Sequence, residues 1–247
     1  MTSPPPLLSI GPLYAGYVEK RPSINCKSPY VADVLINGNS HLSHAPCLGC
    51  EGMCDSGSEV LCCKIEKQGN KCPYKILLSK SGDNVVGIDP GLAEKIVEEV
   101  LRKNIFSDLK SDNFRGQVKY EKSRFDFAGI DTNSVPFALE VKNVPLTENN
   151  ISYFSKNTKK KQKTVSERAV KHLKELGDLA NLNQRAIICF VIQRDDSVAF
   201  SPAFEDAIYK DAFVKALEKG VEVICLVVKW DILGNVYFIR DDLPILI

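Results

Sequence analysis

The chain has 247 residues, 44% of them hydrophobic, which is enough for one large domain or two modest ones. Its 32 Lys and Arg against 31 Asp and Glu leave a formal net charge of +1, so whole-chain electrostatics cannot drive binding to nucleic acid or a membrane. Any nucleic-acid contact must come from a local patch, and no apolar run reaches the roughly 18–20 residues that cross a bilayer.

The start, Met1-Thr2-Ser3-Pro4-Pro5-Pro6-Leu7-Leu8, has no basic segment and its apolar stretch is broken at Ser9, Gly11 and Pro12, so no secretory signal is expected. An intracellular location, cytoplasmic or nuclear, follows as the expectation. From Tyr14 to Ser79 short β-type runs alternate with turn formers: 14–20, 29–36 ending at Asn37-Gly38, 58–65 and 73–79. Such a pattern predicts a small all-β barrel over residues 1–85. After Gly87 the periodicity changes. Asp89-Pro90 offers a cap and a first-turn proline ahead of Leu92, Ile96, Val97, Val100 and Leu101, one apolar helical face ending by about Lys103. Strand-like segments at 117–121, 124–129 and 136–142 come next. A helix over about 166–180, an apolar run 186–192, a helix over about 204–219 stopped by Gly220, and a second apolar run 221–228 complete the chain. Fully apolar runs alternating with helices predict a central sheet covered on both faces, an α/β domain over 86–247.

Two of those strands carry the chemistry. In Arg124-Phe125-Asp126-Phe127-Ala128 a period of two sets Arg124 and Asp126 on one face and the phenylalanines on the other. In Phe137-Ala138-Leu139-Glu140-Val141-Lys142 it sets Glu140 beside Lys142. A hairpin through Asp131 to Ser134 would bring Asp126, Glu140 and Lys142 together. Two carboxylates supply hard oxygen ligands for Mg²⁺ or Mn²⁺, and a lysine beside them can orient an attacking water and offset charge on a phosphorane. An exposed salt bridge across a strand pair is the competing reading.

The order helix, three strands, helix, strand, with Asp126 on the second strand and Glu140-Val141-Lys142 on the third, resembles the PD-(D/E)xK nuclease core. More narrowly, Val118-Lys119-Tyr120, Ser123 to Phe127, Glu140-Val141-Lys142-Asn143-Val144 and Lys171-His172-Leu173 resemble the sugar fermentation stimulation protein A family over about residues 14–230. That resemblance implies an OB-like β-barrel followed by a nuclease-type domain with a mixed sheet flanked by helices, and a protein that binds nucleic acid, DNA rather than RNA. It implies Asp126, Glu140 and Lys142 as metal and catalytic positions, with an acid from the first helix. Of Glu98 and Glu99, Glu99 is preferred because it lies three residues from Ile96. Arg168, Lys171 and His172 form an i, i+3, i+4 set for phosphate or the metal-bound acid, with Arg124 beside Asp126. A metal-dependent nuclease is the reading this supports; a DNA-binding regulator or scaffold that keeps the fold without cutting is the alternative.

Seven of the nine cysteines lie between Cys26 and Cys72. Without a secretory signal they are expected to be reduced, metal-bound or simply buried. Cys47, Cys50 and Cys54, spaced Cys-x2-Cys-x3-Cys, are a candidate half of a structural Zn²⁺ site, with an iron–sulfur cluster as a weaker option. Here the chain departs from the bacterial pattern His-x-Pro-Asn-Thr-Gly, reading His44-Ala45-Pro46-Cys47-Leu48-Gly49. Lys156, Lys159, Lys160, Lys161 and Lys163 form a basic segment suited to clamping a phosphate backbone, unless it is only a solvated loop. Arg21, with Lys27 and Tyr30, offers similar contacts from the barrel.

Overall fold

The computed structural model describes residues 5–247 except 49, 51, 68, 121–122, 155–166, 181, 183 and 203–205. The predicted lysine cluster at Lys159, Lys160 and Lys161 lies outside the described residues. Two compact units form, one from Met1–Ala93, Gln193–Asp196 and Val228–Ile239, the other from Glu94–Ile192, Ser197–Val227 and Arg240–Ile247.

In the first unit a short β1 (Leu8–Ser9) precedes β2 (Tyr14–Lys20), β3 (Val31–Ile36), β4 (Asn39–His44), β5 (Glu59–Lys64), β6 (Tyr74–Ser81) and β7 (Asn84–Gly87). Asn37-Gly38 joins β3 to β4 with left-handed backbone at both residues, φ 50° and 78°, the conformation that a two-residue hairpin demands and that Asn and Gly tolerate. Antiparallel pairings link β4, β3, β2, β5 and β6 in that order, and a parallel pairing, Ser43 opposite Tyr74, joins β4 to β6 and closes the barrel. This is the OB-like arrangement. Val18, Ala32, Val34, Ile36, Ile76 and Leu78 are buried. Gly16 sits where a β-carbon would approach the Leu35 carbonyl oxygen to 2.7 Å, so only glycine lets β2 cross there.

The second unit begins within α1 (Pro90–Arg102) and continues through β8 (Asn113–Tyr120), β9 (Ser123–Ile130), β10 (Pro136–Val144), β11 (Thr147–Glu148), β12 (Ile151–Tyr153), α2 (Glu167–Ala180), β13 (Arg185–Ile192), β14 (Ala199–Ser201), α3 (Ala207–Glu218) and β15 (Glu222–Trp230). Asp89 Oδ1 accepts from the Gly91 N–H at 3.2 Å at the start of α1, and the five predicted apolar positions of that helix are buried. Asp206 caps α3, accepting from the Tyr209 N–H at 3.0 Å, and Gly220 follows it at φ 93°. β8, β9 and β10 are antiparallel neighbours, whereas β10, β13 and β15 run parallel through the crossover helices α2 and α3. A smaller sheet orders β11, β12 and β14. β15 ends in the first unit, where β16 (Asn235–Arg240) pairs with β1.

The core under α2 and α3 centres on Phe190, whose ring meets those of Phe154, Phe200 and Phe213 at centroid distances of 5.5, 4.5 and 6.1 Å. Phe190→Ala should cost about 3–5 kcal/mol, read as a lowered urea-unfolding midpoint without a change in slope. Among the described residues, no helix is long and apolar enough to cross a membrane.

Candidate acid, lysine and histidine site

The turn that delivers the acids is self-capped. Asp131 Oδ1 accepts from the N–H groups of Asn133 and Val135 at 2.8 and 2.9 Å, and its Oδ2 accepts from Arg185 Nη1 at 3.0 Å. Arg185 also grips Glu222, at 2.6 Å. This fixes the β9–β10 register, Ile130 opposite Pro136 and Leu139 opposite Phe127. Just beyond Leu139, the Val141 N–H donates to Asp126 Oδ2 at 2.7 Å, so the Asp126 carboxylate lies against the backbone beside Glu140.

Glu140 is the centre of the cluster. Lys142 Nζ donates to Glu140 Oε1 at 2.5 Å, and His172 Nδ1 bonds the same oxygen. Side-chain exposure is 12% for Lys142, 5% for His172 and 4% for Glu140, so the group is nearly dry. Arg168 Nε donates to His172 Nε2 at 3.5 Å. A carboxylate has no donor, so it is the Nδ1–H of His172 that donates to Glu140. Burial alone raises the pKa of Glu140, yet His172 and Lys142 outweigh it and hold the carboxyl below its ordinary range. Asp126 moves the other way, pushed up to about 6 by burial and then by the Glu140 charge.

On α1 it is Glu94, and not the expected Glu99, that lies near Asp126, through Gln117. Gln117 Nε2 donates to Glu94 Oε2 at 3.0 Å and to Asp126 Oδ1 at 3.3 Å, and the charge of Glu94 adds to the upward push on Asp126. Gln117 adopts a left-handed backbone, φ 55°, within β8, a conformation uncommon outside glycine that recurs at functional positions. Glu99 pairs with Arg102 and, at 3.5 Å, with Lys103. At 100° per residue the two glutamates stand about 140° apart around the helix, so they cannot share a target.

His172, expected at phosphate or at the metal-bound acid, is 4% exposed and bonded to Glu140. Arg168, Lys171 and Arg124 are exposed, with Lys171 Nζ 3.4 Å from Glu175. Phe125 packs into the core cluster with Ala138, Leu173 and Leu179, while the Phe127 ring meets Phe114 at 6.0 Å.

The cysteine spacing predicts zinc at Cys47, Cys50 and Cys54. Among the described residues no group of three or more His, Cys, Asp or Glu side chains is arranged to hold a metal ion. A backbone carbonyl draws the loop together: Cys50 Sγ donates to the Cys47 carbonyl at 3.3 Å, and Arg21 Nη2 donates to the same carbonyl at 2.5 Å.

Fold and site together define a class: an OB-like barrel combined with a three-helix mixed-sheet domain that buries an acid–lysine–histidine cluster at a strand hairpin. Residues 91–233 match the family described as Sugar fermentation stimulation protein RE domain. Two curated relatives, each a Sugar fermentation stimulation protein homolog, are similar over most of their length. The one from Clostridium perfringens (strain 13 / Type A) is 31% identical over 213 residues, 85% of this chain and 90% of the relative. That from Synechocystis sp. (strain ATCC 27184 / PCC 6803 / Kazusa) is 30% identical over 221 residues, 86% and 88% respectively. The chain belongs to the sugar fermentation stimulation protein family. The structure of Pyrococcus furiosus SfsA in complex with Ca²⁺ superimposes with a TM-score of 0.82 over 98% of this chain and 99% of that one, at 21% identity, and shares the fold.

Proposed function

We propose that the protein is a metal-dependent phosphodiester hydrolase acting on nucleic acid, DNA in preference to RNA, with Asp126, Glu140 and Lys142 as its reacting groups. The observation that carries this reading is the convergence of two repelling carboxylates and a lysine on adjacent strands of a helix, three-strand, helix, strand unit. A barrel of OB-like order, over residues 1–85, suits the holding of a nucleic-acid strand.

The donor set fits a hard divalent cation. Glu140 Oε2 is buried and accepts no hydrogen bond, and Asp126 is disfavoured as an anion by Glu140, so a cation shared by the two carboxylates would satisfy both. The relative crystallised with Ca²⁺ supports such a site, with Mg²⁺ or Mn²⁺ as the working ion. When bound, the ion supplies Lewis-acid polarisation of a phosphoryl oxygen.

The rest falls to the chain. His172 holds Glu140 in one rotamer through its Nδ1–H. Lys142 carries the positive charge that offsets the phosphorane and orients the attacking water. Gln117 spaces Glu94 from Asp126, and the exposed Arg168, Lys171 and Arg124 meet the phosphate backbone, together with the Lys159 to Lys161 segment.

Incubation with labelled single- and double-stranded DNA and RNA in Mg²⁺, Mn²⁺ or EDTA tests the reading. Cleavage in either metal and none in EDTA is expected. Retained DNA binding without cleavage in any metal would replace it with the non-cutting regulator. Within the hydrolase reading, Glu94→Gln should slow cleavage about tenfold, equivalent to roughly 1.4 kcal/mol of transition-state stabilisation, whereas Glu99→Gln should leave the rate within about twofold.

A further inference from the structure

One end of the barrel gathers aromatic rings that the acid site does not use. Tyr14 on β2, His41 on β4 and Tyr74 on β6 all belong to the first unit. The Tyr74 ring meets Tyr14 at a centroid distance of 5.6 Å and 73°, and His41 at 5.0 Å and 59°. Residues opposite one another in a sheet share a face, and Tyr14 stands opposite Cys62 while Tyr74 stands opposite Ser43. Cys62 and Ser43 are wholly buried, as is Ile76 two positions on from Tyr74, whereas the three rings are half-buried. The rings are therefore the last layer of the barrel interior before solvent. Among the described residues, neither phenol oxygen nor the His41 ring makes a hydrogen bond, so their polar edges are open to a ligand.

A basic loop returns at the same point. Lys64 lies opposite Tyr74, and one step further the Ile65 N–H donates to the Pro73 carbonyl at 2.7 Å, closing the β5–β6 connection. Residues 64–71 carry three lysines against one glutamate. Lys67 and Lys71, with Gly69 and Asn70, line a hollow of about 440 Å³. Lys64, Lys67 and Lys71 are exposed and, among the described residues, none is ion-paired. On β6 itself Lys75 and Lys80 are held by Asp89 and Glu59 at 2.5 and 2.7 Å.

We propose that this end of the barrel binds an unpaired nucleic-acid strand, whose bases stack on Tyr14, His41 and Tyr74 and whose phosphates lie against Lys64, Lys67 and Lys71. The inference rests on the nucleic-acid reading given above and adds to it the kind of strand and the residues that select it. Every nucleotide offers a flat π face and a phosphate together, and rings beside free ammonium groups match both. An apolar peptide would leave the lysines without a partner. A duplex would meet the lysines but not the rings, because its base faces are already stacked on one another.

Binding to the full-length protein is read by fluorescence anisotropy in EDTA, with labelled oligothymidylate, an abasic strand of the same length and a duplex of the same length. Oligothymidylate should bind on the order of tenfold more tightly than the abasic strand. Tyr74→Leu, which keeps apolar bulk but removes the π face, should erase that difference and leave the abasic affinity unchanged. Lys64→Gln, Lys67→Gln and Lys71→Gln together should weaken both single strands and lower the log–log salt slope by about two units, at about 0.7 per phosphate contact. A third arm needs no variant: a strand carrying 5-iododeoxyuridine, irradiated on the wild-type protein, should cross-link to Tyr14, His41 or Tyr74. Cross-links confined to Tyr17 or Tyr30, the barrel's exposed tyrosines, would overturn the proposal. So would equal affinity for oligothymidylate and the abasic strand, or displacement of the strand by thymidine monophosphate at the same molar concentration, which would make this a site for free nucleotides. Each of those results leaves the nucleic-acid hydrolase reading standing, whereas no binding of any strand or duplex would remove both.

Discussion

Lys142→Ala should lower single-turnover cleavage of a bound oligonucleotide by about 10²–10³, the effect expected when one electrostatic interaction with the transition state, worth roughly 3–4 kcal/mol, is removed. Affinity for the same oligonucleotide should change little. Removing Lys159, Lys160 and Lys161 should do the reverse, weakening binding and flattening its salt dependence by about one unit of log–log slope for each phosphate no longer neutralised. Lys142 has a second duty, because it neutralises an almost fully buried Glu140 at 2.5 Å. Stripping one partner from a buried pair costs stability as well as rate, so the variant should also unfold at lower urea. Adding Glu140→Gln to Lys142→Ala should recover the unfolding midpoint and not the cleavage. Equal weakening of binding in the Lys142 and lysine-cluster variants, with cleavage of the bound fraction intact, would make Lys142 a phosphate ligand and nothing more.

Asp126→Asn should abolish Mn²⁺ binding, followed by calorimetric titration, and at the same time stabilise the metal-free protein. The sign follows from the carboxyl, whose pKa stands at about 6 in the fold against an ordinary 3.8. A raised folded value means that the fold binds the proton more tightly. The favourable contribution is complete below pH 3.8, fades as pH rises, and is gone above about 6. At pH 7 the ionised Asp126 therefore costs up to about 3 kcal/mol, less where solvent screens it, and a neutral asparagine that still accepts from the Val141 N–H removes that cost. The melting temperature should rise about 2–4 °C per kcal/mol recovered, with no gain at pH 3.5. An unchanged melting temperature together with unchanged Mn²⁺ affinity would remove Asp126 from the site.

What the sequence revealed, and what it withheld, follows the reach of each signal. Asp126, Glu140 and Lys142 were legible because a strand alternates every two residues and Asp131 to Ser134 is a turn; no long-range information was needed. β4 was not legible, since Asn-Ser-His-Leu-Ser-His has no hydrophobic alternation, although its pairing with β6 closes the barrel. Glu94 escaped because nearness to Ile96 was the only guide on α1, while its link to Asp126 runs through Gln117, whose left-handed backbone no local pattern announces. That His172 meets Glu140 emerges only when α2 is laid against β10, since nothing local relates the two positions. The cysteine spacing suggested metal because spacing says nothing of Arg21, which sits 26 residues before Cys47 and organises the loop.

The clasp formed by Asp131, Arg185 and Glu222 has a bearing on how this molecule would tolerate change. It ties the β9–β10 turn to the first residues of β13 and β15, with Arg185 opposite Phe137, about 17 Å along β10 from Lys142. A strand that slips by a single residue turns every side chain to its other face, so Glu140 and Lys142 would trade places with Leu139 and Val141. Alignment of Asp126, Glu140 and Lys142 is thus supported from a remote end of the sheet, by an arginine that touches none of them. A mutational scan scored on activity alone would count Arg185 as part of the chemistry, and a designer redrawing the site would have to leave that distant corner untouched.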